Sequence, residues 1–169
     1  MLEGSSEQDV SGGEPVTRAQ QWLEVNQYMT LATSDASGSP WASTVWYAAR
    51  QLSRSPESLD VELLWLSRPE AQHSRNLEQR PELGISIFDS SQPAGTGDGL
   101  QLAARGELVP PPQLDDRIAV FSEASLAAGG TAWSRARVEG PDAVLRLYVA
   151  HVERAFLLTN GDRTELPLA

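Results

Sequence analysis

The sequence predicts a mainly β fold, a six-stranded antiparallel β-barrel with a few helices, in a single domain over residues 15–169. Six or more short segments are rich in β-branched and aromatic residues and are bounded by turn-forming residues. Asn160-Gly161, between two such segments, is a strong signal for a tight β-hairpin. The one strand–helix–strand unit does not make the chain a doubly wound α/β protein.

The first half of the chain supplies a tail, a helix and a hairpin. The N-terminal residues are rich in Gly, Ser and acids and have little to bury, so we expect them to be disordered. Apolar residues then recur at helical spacing, and two β-rich segments flank a Ser/Gly turn. The predicted elements are a tail over 1–14, a helix over 15–26, strands over 28–35 and 41–49, and a polar loop over 50–58.

The second half supplies the remaining strands and two helices. Apolar segments of strand length alternate with Gly, Ser and Pro clusters, and Pro110-Pro111-Pro112 ends one strand before a helical pattern begins. The predicted elements are strands over 61–66, 83–88, 100–109, 143–152, 155–159 and 164–166, helices over 70–78 and 113–122, a loop over 90–99, and an irregular or partly helical segment over 124–140.

Composition excludes several classes of chemistry. The chain has 13 basic and 23 acidic residues and a net charge of −10, so we expect it to bind neither nucleic acid nor anionic membranes. It contains no lysine, which rules out Schiff-base chemistry and a P-loop lysine. With no cysteine and only His73 and His151, no metal site is predicted. No apolar run is long enough for a membrane span and no signal peptide is visible, so a cytoplasmic location is expected.

Residues 61–89 are the most informative segment for function. A strand runs directly into a short polar helix, and the free N–H groups and positive dipole end of a helix start favour an anion such as phosphate. Within residues 67–75, Arg68 and Arg75 outweigh Glu70, which gives this acidic chain a local positive region. The segment therefore predicts a phosphate-binding site at the start of the helix.

Three segments carry a resemblance to a known family. They are LATSDASGSPWASTVWY, then WLSRPEAQHSRNLEQRPELGISIFD, then LQLAARGEL, in which Gln101 precedes Gly106 by five residues. The run HSRNL-x-x-x-P followed by an apolar strand is the most specific part. In this order and spacing, over roughly residues 20–110, the chain resembles the pyridoxamine 5′-phosphate oxidase-like family, the FMN-binding split barrels. The resemblance implies a homodimer with two flavins in grooves at the subunit interface.

The resemblance also assigns roles by position. It places Ser43, Thr44, Val45 and Trp46 on the strand beside the isoalloxazine ring, Leu66 and Ser67 at a strand end near the ring and the ribityl chain or phosphate, Gln72 and His73 at the family's basic phosphate-binding positions, and Gln101 at a glutamine that contacts the ring. Arg75 is a further phosphate candidate, or else a partner of Glu78 or Glu82. Because neither Gln72 nor His73 is permanently charged, phosphate affinity is expected to be weaker or to depend on pH.

The leading functional hypothesis is an FMN-dependent oxidoreductase acting on a small molecule. Members that oxidise pyridoxamine phosphate carry a C-terminal segment with Trp and Arg residues that contact the substrate, and residues 141–169 do not show that segment. A different substrate is therefore expected. The alternatives are a split barrel that binds a deazaflavin or haem, and a flavin-binding module without turnover. No catalytic acid or base can be assigned from the sequence.

Overall fold

The computed structural model describes residues 15–169, and the tail predicted over 1–14 lies outside the described residues. The helices are α1 (Pro15–Val25), α2 (Gln72–Gln79), α3 (Leu114–Ala127) and the short α4 (Arg135–Val138). The strands are β1 (Tyr28–Ser34), β2 (Pro40–Trp46), β3 (Ala48–Ser53), β4 (Asp60–Ser67), β5 (Glu82–Phe88), β6 (Gly99–Leu108), β7 (Arg146–Thr159) and β8 (Asp162–Leu166).

The strands of the described chain form one antiparallel sheet. Its order is β2-β1-β5-β6-β7-β4-β3, and β8 pairs with the second half of β7. The two end strands, β2 and β3, are joined only by Tyr47, so the ends of the sheet come together. The sheet therefore closes into a barrel that is split beside β2, which confirms the predicted fold class.

Two tight turns follow directly from their residues. The Asp35 carboxylate accepts hydrogen bonds from the backbone N–H groups of Ser37 and Ser39, at 2.9 and 3.0 Å, and so fixes the β1–β2 turn. Asn160 and Gly161 have φ values of 51° and 90°, and two consecutive positive φ angles are what a two-residue hairpin turn requires. The predicted C-terminal hairpin is thus present as β7–β8.

Two apolar clusters hold the fold together, and β4 contributes to both. Leu63 and Trp65 point into the barrel, where they join the main core that α1 covers with Val16, Ala19 and Leu23. Leu64, on the other face of β4, packs under α3 with Ile118 and Phe121. Burial on both faces explains why β4 reads as an almost continuous apolar run.

The sheet has eight strands, as many as the segments predicted to be strands although the barrel was predicted with six, and two of the assignments differ for local reasons. The segment after Trp46 turns at Tyr47 and continues as β3, which ends at Ser53 and so occupies the first part of the loop predicted over 50–58. The polar side chains of this segment did not predict a strand. β3 lies at the edge of the sheet and packs against one apolar neighbouring strand, so it can form without an apolar sequence of its own. The two strands predicted over 143–159 are one strand, β7, whose register against β6 shifts between Ala103 and Ala104.

Candidate cofactor site

The backbone of β2 has a free edge. β2 pairs along its length with β1, and no other strand within residues 15–169 pairs with it. Leu66 and Ser67, at the end of β4, pair with β7 but extend beyond the last residues that β3 covers. The split in the barrel therefore lies between β2 and the end of β4, with unpaired backbone groups along it.

Helix α2 follows β4 immediately and lies across this split. Its buried face is polar: His73, Ser74 and Asn76 are buried together with Leu77. These four residues recur at the one-, three- and four-residue spacing of a helix face. Buried polar side chains need hydrogen-bond partners, and those of α2 find them on the strands beneath.

His73 connects the two sides of the split. Its Nε2 lies 2.7 Å from the Ser67 hydroxyl at the end of β4, and its Nδ1 lies 3.0 Å from the Ser43 hydroxyl on β2. A neutral imidazole can donate at one nitrogen and accept at the other, and each hydroxyl can take the complementary role. Burial lowers the pKa of His73 below its usual value, so the imidazole is held in its neutral form at pH 7.

Further hydrogen bonds fix the helix and the serines. Asn76 Nδ2 donates to the Thr33 hydroxyl on β1 at 2.9 Å, and Gln72 Nε2 donates to Asn76 Oδ1 at 2.8 Å. On β2, the Trp41 indole N–H donates to the Ser43 hydroxyl at 3.0 Å. No side chain caps the N-terminus of α2, which Ala71 precedes, so the first N–H groups of this helix remain available to an anion.

The structure brings some of the predicted site residues together and separates others. Ser43, Ser67 and His73 form one hydrogen-bonded group. Val45 packs against the barrel core, whereas Trp46 and Leu66 pack against the cluster under α3. The side chains of these three residues thus contribute to the two apolar clusters. Gln72 and Arg75 are exposed on α2, and Arg75 forms no salt bridge within the described chain.

Gln101 and Thr44 lie on the same outer face of the sheet. The register places Thr44 opposite Thr30, Thr30 opposite Ser86, and Ser86 opposite Gln101. Gln101 is exposed in this row, three strands and about 14 Å from Thr44. A single chain therefore does not bring Gln101 to the free edge of β2.

The neighbouring row on this outer face has small side chains. It consists of Ala42, Ala32, Gly84 and Ala103, paired across four strands. Tyr28 and Phe88 stand on the same face of the sheet and are more than half exposed. The result is a shallow, open surface that a flat partner can approach closely.

The second histidine is engaged elsewhere. His151 on β7 has its Nδ1 3.5 Å from Glu62 and its Nε2 3.2 Å from Glu107. Both imidazoles of the chain thus have both ring nitrogens in contact with polar partners. The described residues contain no group of three or more side chains suited to holding a metal ion, and none of their helices has the length and apolar character needed to cross a membrane.

Comparison with known proteins identifies the family. The family model described as pyridoxamine 5′-phosphate oxidase matches residues 16–155. The chain belongs to the pyridoxamine 5′-phosphate oxidase family. The match includes the split, α2 and the Gln101 row, so the resemblance seen in the sequence is confirmed at the level of family and fold. A search of curated proteins found no match.

Several solved structures share this fold, and the names of two of them mention haem. A haem-binding protein from Mycobacterium smegmatis superposes with a TM-score of 0.67 at 19% identity, over 99% of this chain and 60% of its own. The haem storage protein HutZ from Vibrio cholerae gives 0.61 at 21% identity, over 83% and 92%. A Clostridium acetobutylicum protein of the pyridoxinephosphate oxidase family, related to general stress protein 26, gives 0.58 at 8%, over 90% and 93%. At these identities the likeness shows the fold alone.

Several residues of this split-barrel site were not singled out from the sequence. They are Thr33, Trp41, Ser74 and Asn76. The signal that could have identified the helix residues is the spacing of His73, Ser74, Asn76 and Leu77, which places three polar side chains on the same helix face as a buried leucine. Thr33 has no such signal, because its partner Asn76 is 43 residues away in the sequence. Trp41 contacts Ser43 two residues on, a spacing that only places the two side chains on the same face of a strand.

Proposed function

We propose that this protein is an FMN-dependent oxidoreductase that acts in the cytoplasm as a homodimer on a small molecule other than pyridoxamine phosphate. The observation that carries the proposal is the split itself. It combines the free backbone edge of β2, the uncapped start of α2, and the hydroxyl and imidazole groups of Ser43, Ser67 and His73 between them.

Each part of the split suits a different part of FMN. The unpaired N–H and C=O groups of β2 can bond the polar edge of an isoalloxazine ring. The start of α2 and Ser67 offer donors for the phosphate, His73 can donate to a phosphate oxygen that takes the place of one of its serine partners, and Arg68 and Arg75 add positive charge nearby. FMN supplies hydride and electron chemistry when it is bound, while the residues of this chain position it and limit its access to water.

The open outer face supports the proposed homodimer. Its row of small residues allows a second copy to approach closely, and Tyr28 and Phe88 offer apolar area at the same face. Because Gln101 is remote from β2 within one chain, we propose that it contacts a flavin held between two copies. This arrangement agrees with the interface grooves that the family resemblance implies.

A flavin suits this site better than haem. Two of the similar structures have names that include haem, but an axial imidazole ligand must have a free nitrogen. Here the His73 ring is held by two serines and the His151 ring by two carboxylates. A deazaflavin offers the same ring edge and phosphate as FMN, so it is the second ligand to test.

The first prediction concerns the phosphate of the cofactor. We expect the protein to bind FMN at least about tenfold more tightly than riboflavin, because each charge-assisted hydrogen bond to the phosphate adds roughly 1.5–3 kcal/mol. Titration followed by flavin fluorescence measures both affinities. Freshly purified protein should show the two visible bands of a flavin.

Other results would contradict this proposal. A single intense Soret band would indicate haem, and failure to bind added FMN would exclude it as the cofactor. Turnover is tested separately, by reducing the bound flavin with a nicotinamide donor and reoxidising it with an acceptor. A flavin that binds but cannot be reduced in this way would make the protein a flavin-binding module rather than an enzyme.

A further inference from the structure

A cleft outside the split lies between the end of α1, the corner where β2 turns into β3, and one side of α3. Its volume is about 580 Å³, which lies in the range of small-molecule sites. The residues that give it chemical character are Trp46, Arg50, Gln51, Arg54, Glu24 and Ala127.

One wall of the cleft is apolar and rigid. The Trp46 ring is held edge-on against Phe121, with 5.1 Å between ring centroids and an interplanar angle of 87°. The facing side of α3 presents Ala124, Ala127 and Ala128, whose methyl groups leave the space between helix and sheet open. A flat apolar ring can lie against a fixed aromatic side chain without ordering any other group.

The rim of the cleft carries positive charge. Arg50 and Arg54 both line it, whereas Glu24 is its one carboxylate among the described lining residues. Arg54 pairs with Glu24 at 3.1 Å. Arg50 pairs with Glu62 at 3.0 Å, but Glu62 also pairs with Arg117 at 2.6 Å, so one carboxylate serves two guanidinium groups. In a chain with a net charge of −10 this cleft is a local positive site.

The cleft also contains a buried acceptor without a donor. Gln51 Nε2 donates to the Glu24 carboxylate at 3.2 Å, which fixes the orientation of the amide. Its oxygen, Oε1, is then buried with no hydrogen-bond partner in the described chain. An unsatisfied buried acceptor costs about 1–3 kcal/mol, and a ligand with an N–H or O–H group would relieve that cost.

We propose that this cleft binds an aromatic carboxylate that bears a hydroxyl or amino group. Its ring lies between Trp46 and the alanines of α3, its carboxylate meets Arg50 and Arg54, and its hydroxyl or amino group donates to Gln51 Oε1. The residues that line this cleft all belong to one chain, so the cleft does not depend on the proposed homodimer.

The cleft and the proposed flavin site share the strand β2, which indicates a role for the ligand. Trp46 is the last residue of β2, the strand whose free edge faces the split, and its side chain forms the near wall of the cleft. A ligand on Trp46 therefore sits at the end of the strand proposed to hold the isoalloxazine ring. Its role as the substrate rests on the proposed function, whereas its binding does not.

Three matched probes test the cleft in the protein without added flavin. They are 4-hydroxybenzoate, the uncharged 4-hydroxybenzamide, and benzoate, which lacks the hydroxyl. Calorimetric titration should show 4-hydroxybenzoate binding about tenfold more tightly than either of the others, because each lacks one of the two polar contacts. Equal affinity for all three, or no binding of 4-hydroxybenzoate, would overturn the proposal.

Two variants locate the binding. Ala127→Trp fills the cleft from an exposed helix position and should abolish binding of 4-hydroxybenzoate. Arg54→Gln should remove most of the preference for the acid over the amide, whereas Arg163→Gln, on β8, should leave it unchanged. Unaltered binding in Ala127→Trp would place the probe elsewhere and refute the site.

Repeating the titration with FMN present separates the two proposals. If FMN binds and 4-hydroxybenzoate shifts the flavin spectrum in the wild type but not in Ala127→Trp, both are supported. If the probe binds but FMN does not, the cleft stands and the cofactor proposal fails. If FMN binds and the probe does not, only the cleft proposal fails.

Discussion

Replacing Glu62 with alanine should lower the free energy of unfolding by about 3 kcal/mol. Glu62 is buried beneath α3. One of its carboxylate oxygens accepts a hydrogen bond from Arg117 at 2.6 Å, and the other accepts one from Arg50 at 3.0 Å. Arg117 is itself buried, and its Nε already lacks a partner. Without the carboxylate, the Arg117 guanidinium group would be left unpaired in an apolar setting next to Phe121 and Ile118. Removing one partner of a buried ion pair is strongly destabilising because it leaves an uncompensated buried charge.

Chemical denaturation followed by tryptophan fluorescence measures this effect. The matched control is Glu165→Ala, which removes the carboxylate of an exposed pair with Arg154 and should leave stability almost unchanged. The double variant Glu62→Leu/Arg117→Leu should recover most of the loss, since it removes both charges from the apolar layer. A single variant as stable as the wild type would show that water reaches Arg117.

The same network shows what the sequence could and could not predict. The hairpin at Asn160-Gly161 and the helix over Pro15–Val25 are fixed by turn chemistry and apolar spacing within a few residues, and both were predicted. The pairing of Glu62 with Arg117 spans 55 residues and leaves no local pattern. It depends on how α3 packs against β4, which follows only from the assembled sheet.

The candidate site, like the fold, could be predicted only in part from the sequence. Resemblance located the positions of Ser43, Ser67 and His73, but it gave His73 only a role at the phosphate. The structure buries His73 between two serines of different strands. The free edge of β2 was also beyond prediction, because an edge is a property of the whole strand order.

Replacing His73 with alanine should weaken FMN binding roughly 10- to 100-fold and remove its dependence on pH. In the free protein the His73 ring is neutral, because burial lowers its pKa. A phosphate dianion placed against the ring would favour the charged form and raise that pKa. Binding therefore takes up a proton over the pH range between the two pKa values, and affinity falls as pH rises through that range.

The other groups around the imidazole do not produce this dependence. Its hydrogen-bond partners, Ser43 on β2 and Ser67 on β4, are uncharged, as are Asn76 and Gln72 on α2. The charged side chains of the adjoining segment are those of Arg68, Glu70 and Arg75, and none of them is hydrogen-bonded to the His73 ring. Above pH 7 the phosphate, with a second pKa of about 6, is a constant dianion.

Calorimetry at one pH in buffers with different heats of ionisation counts the protons taken up when FMN binds. We expect uptake with the wild type and FMN, none with riboflavin, and none with His73→Asn, which can still hydrogen-bond but cannot titrate. His73→Arg should bind FMN with an affinity that stays level from pH 7 to 9, since a guanidinium group keeps its charge even when buried. Proton uptake that persists in His73→Asn would assign the titrating group elsewhere, and its absence in the wild type would mean that the phosphate does not reach this imidazole.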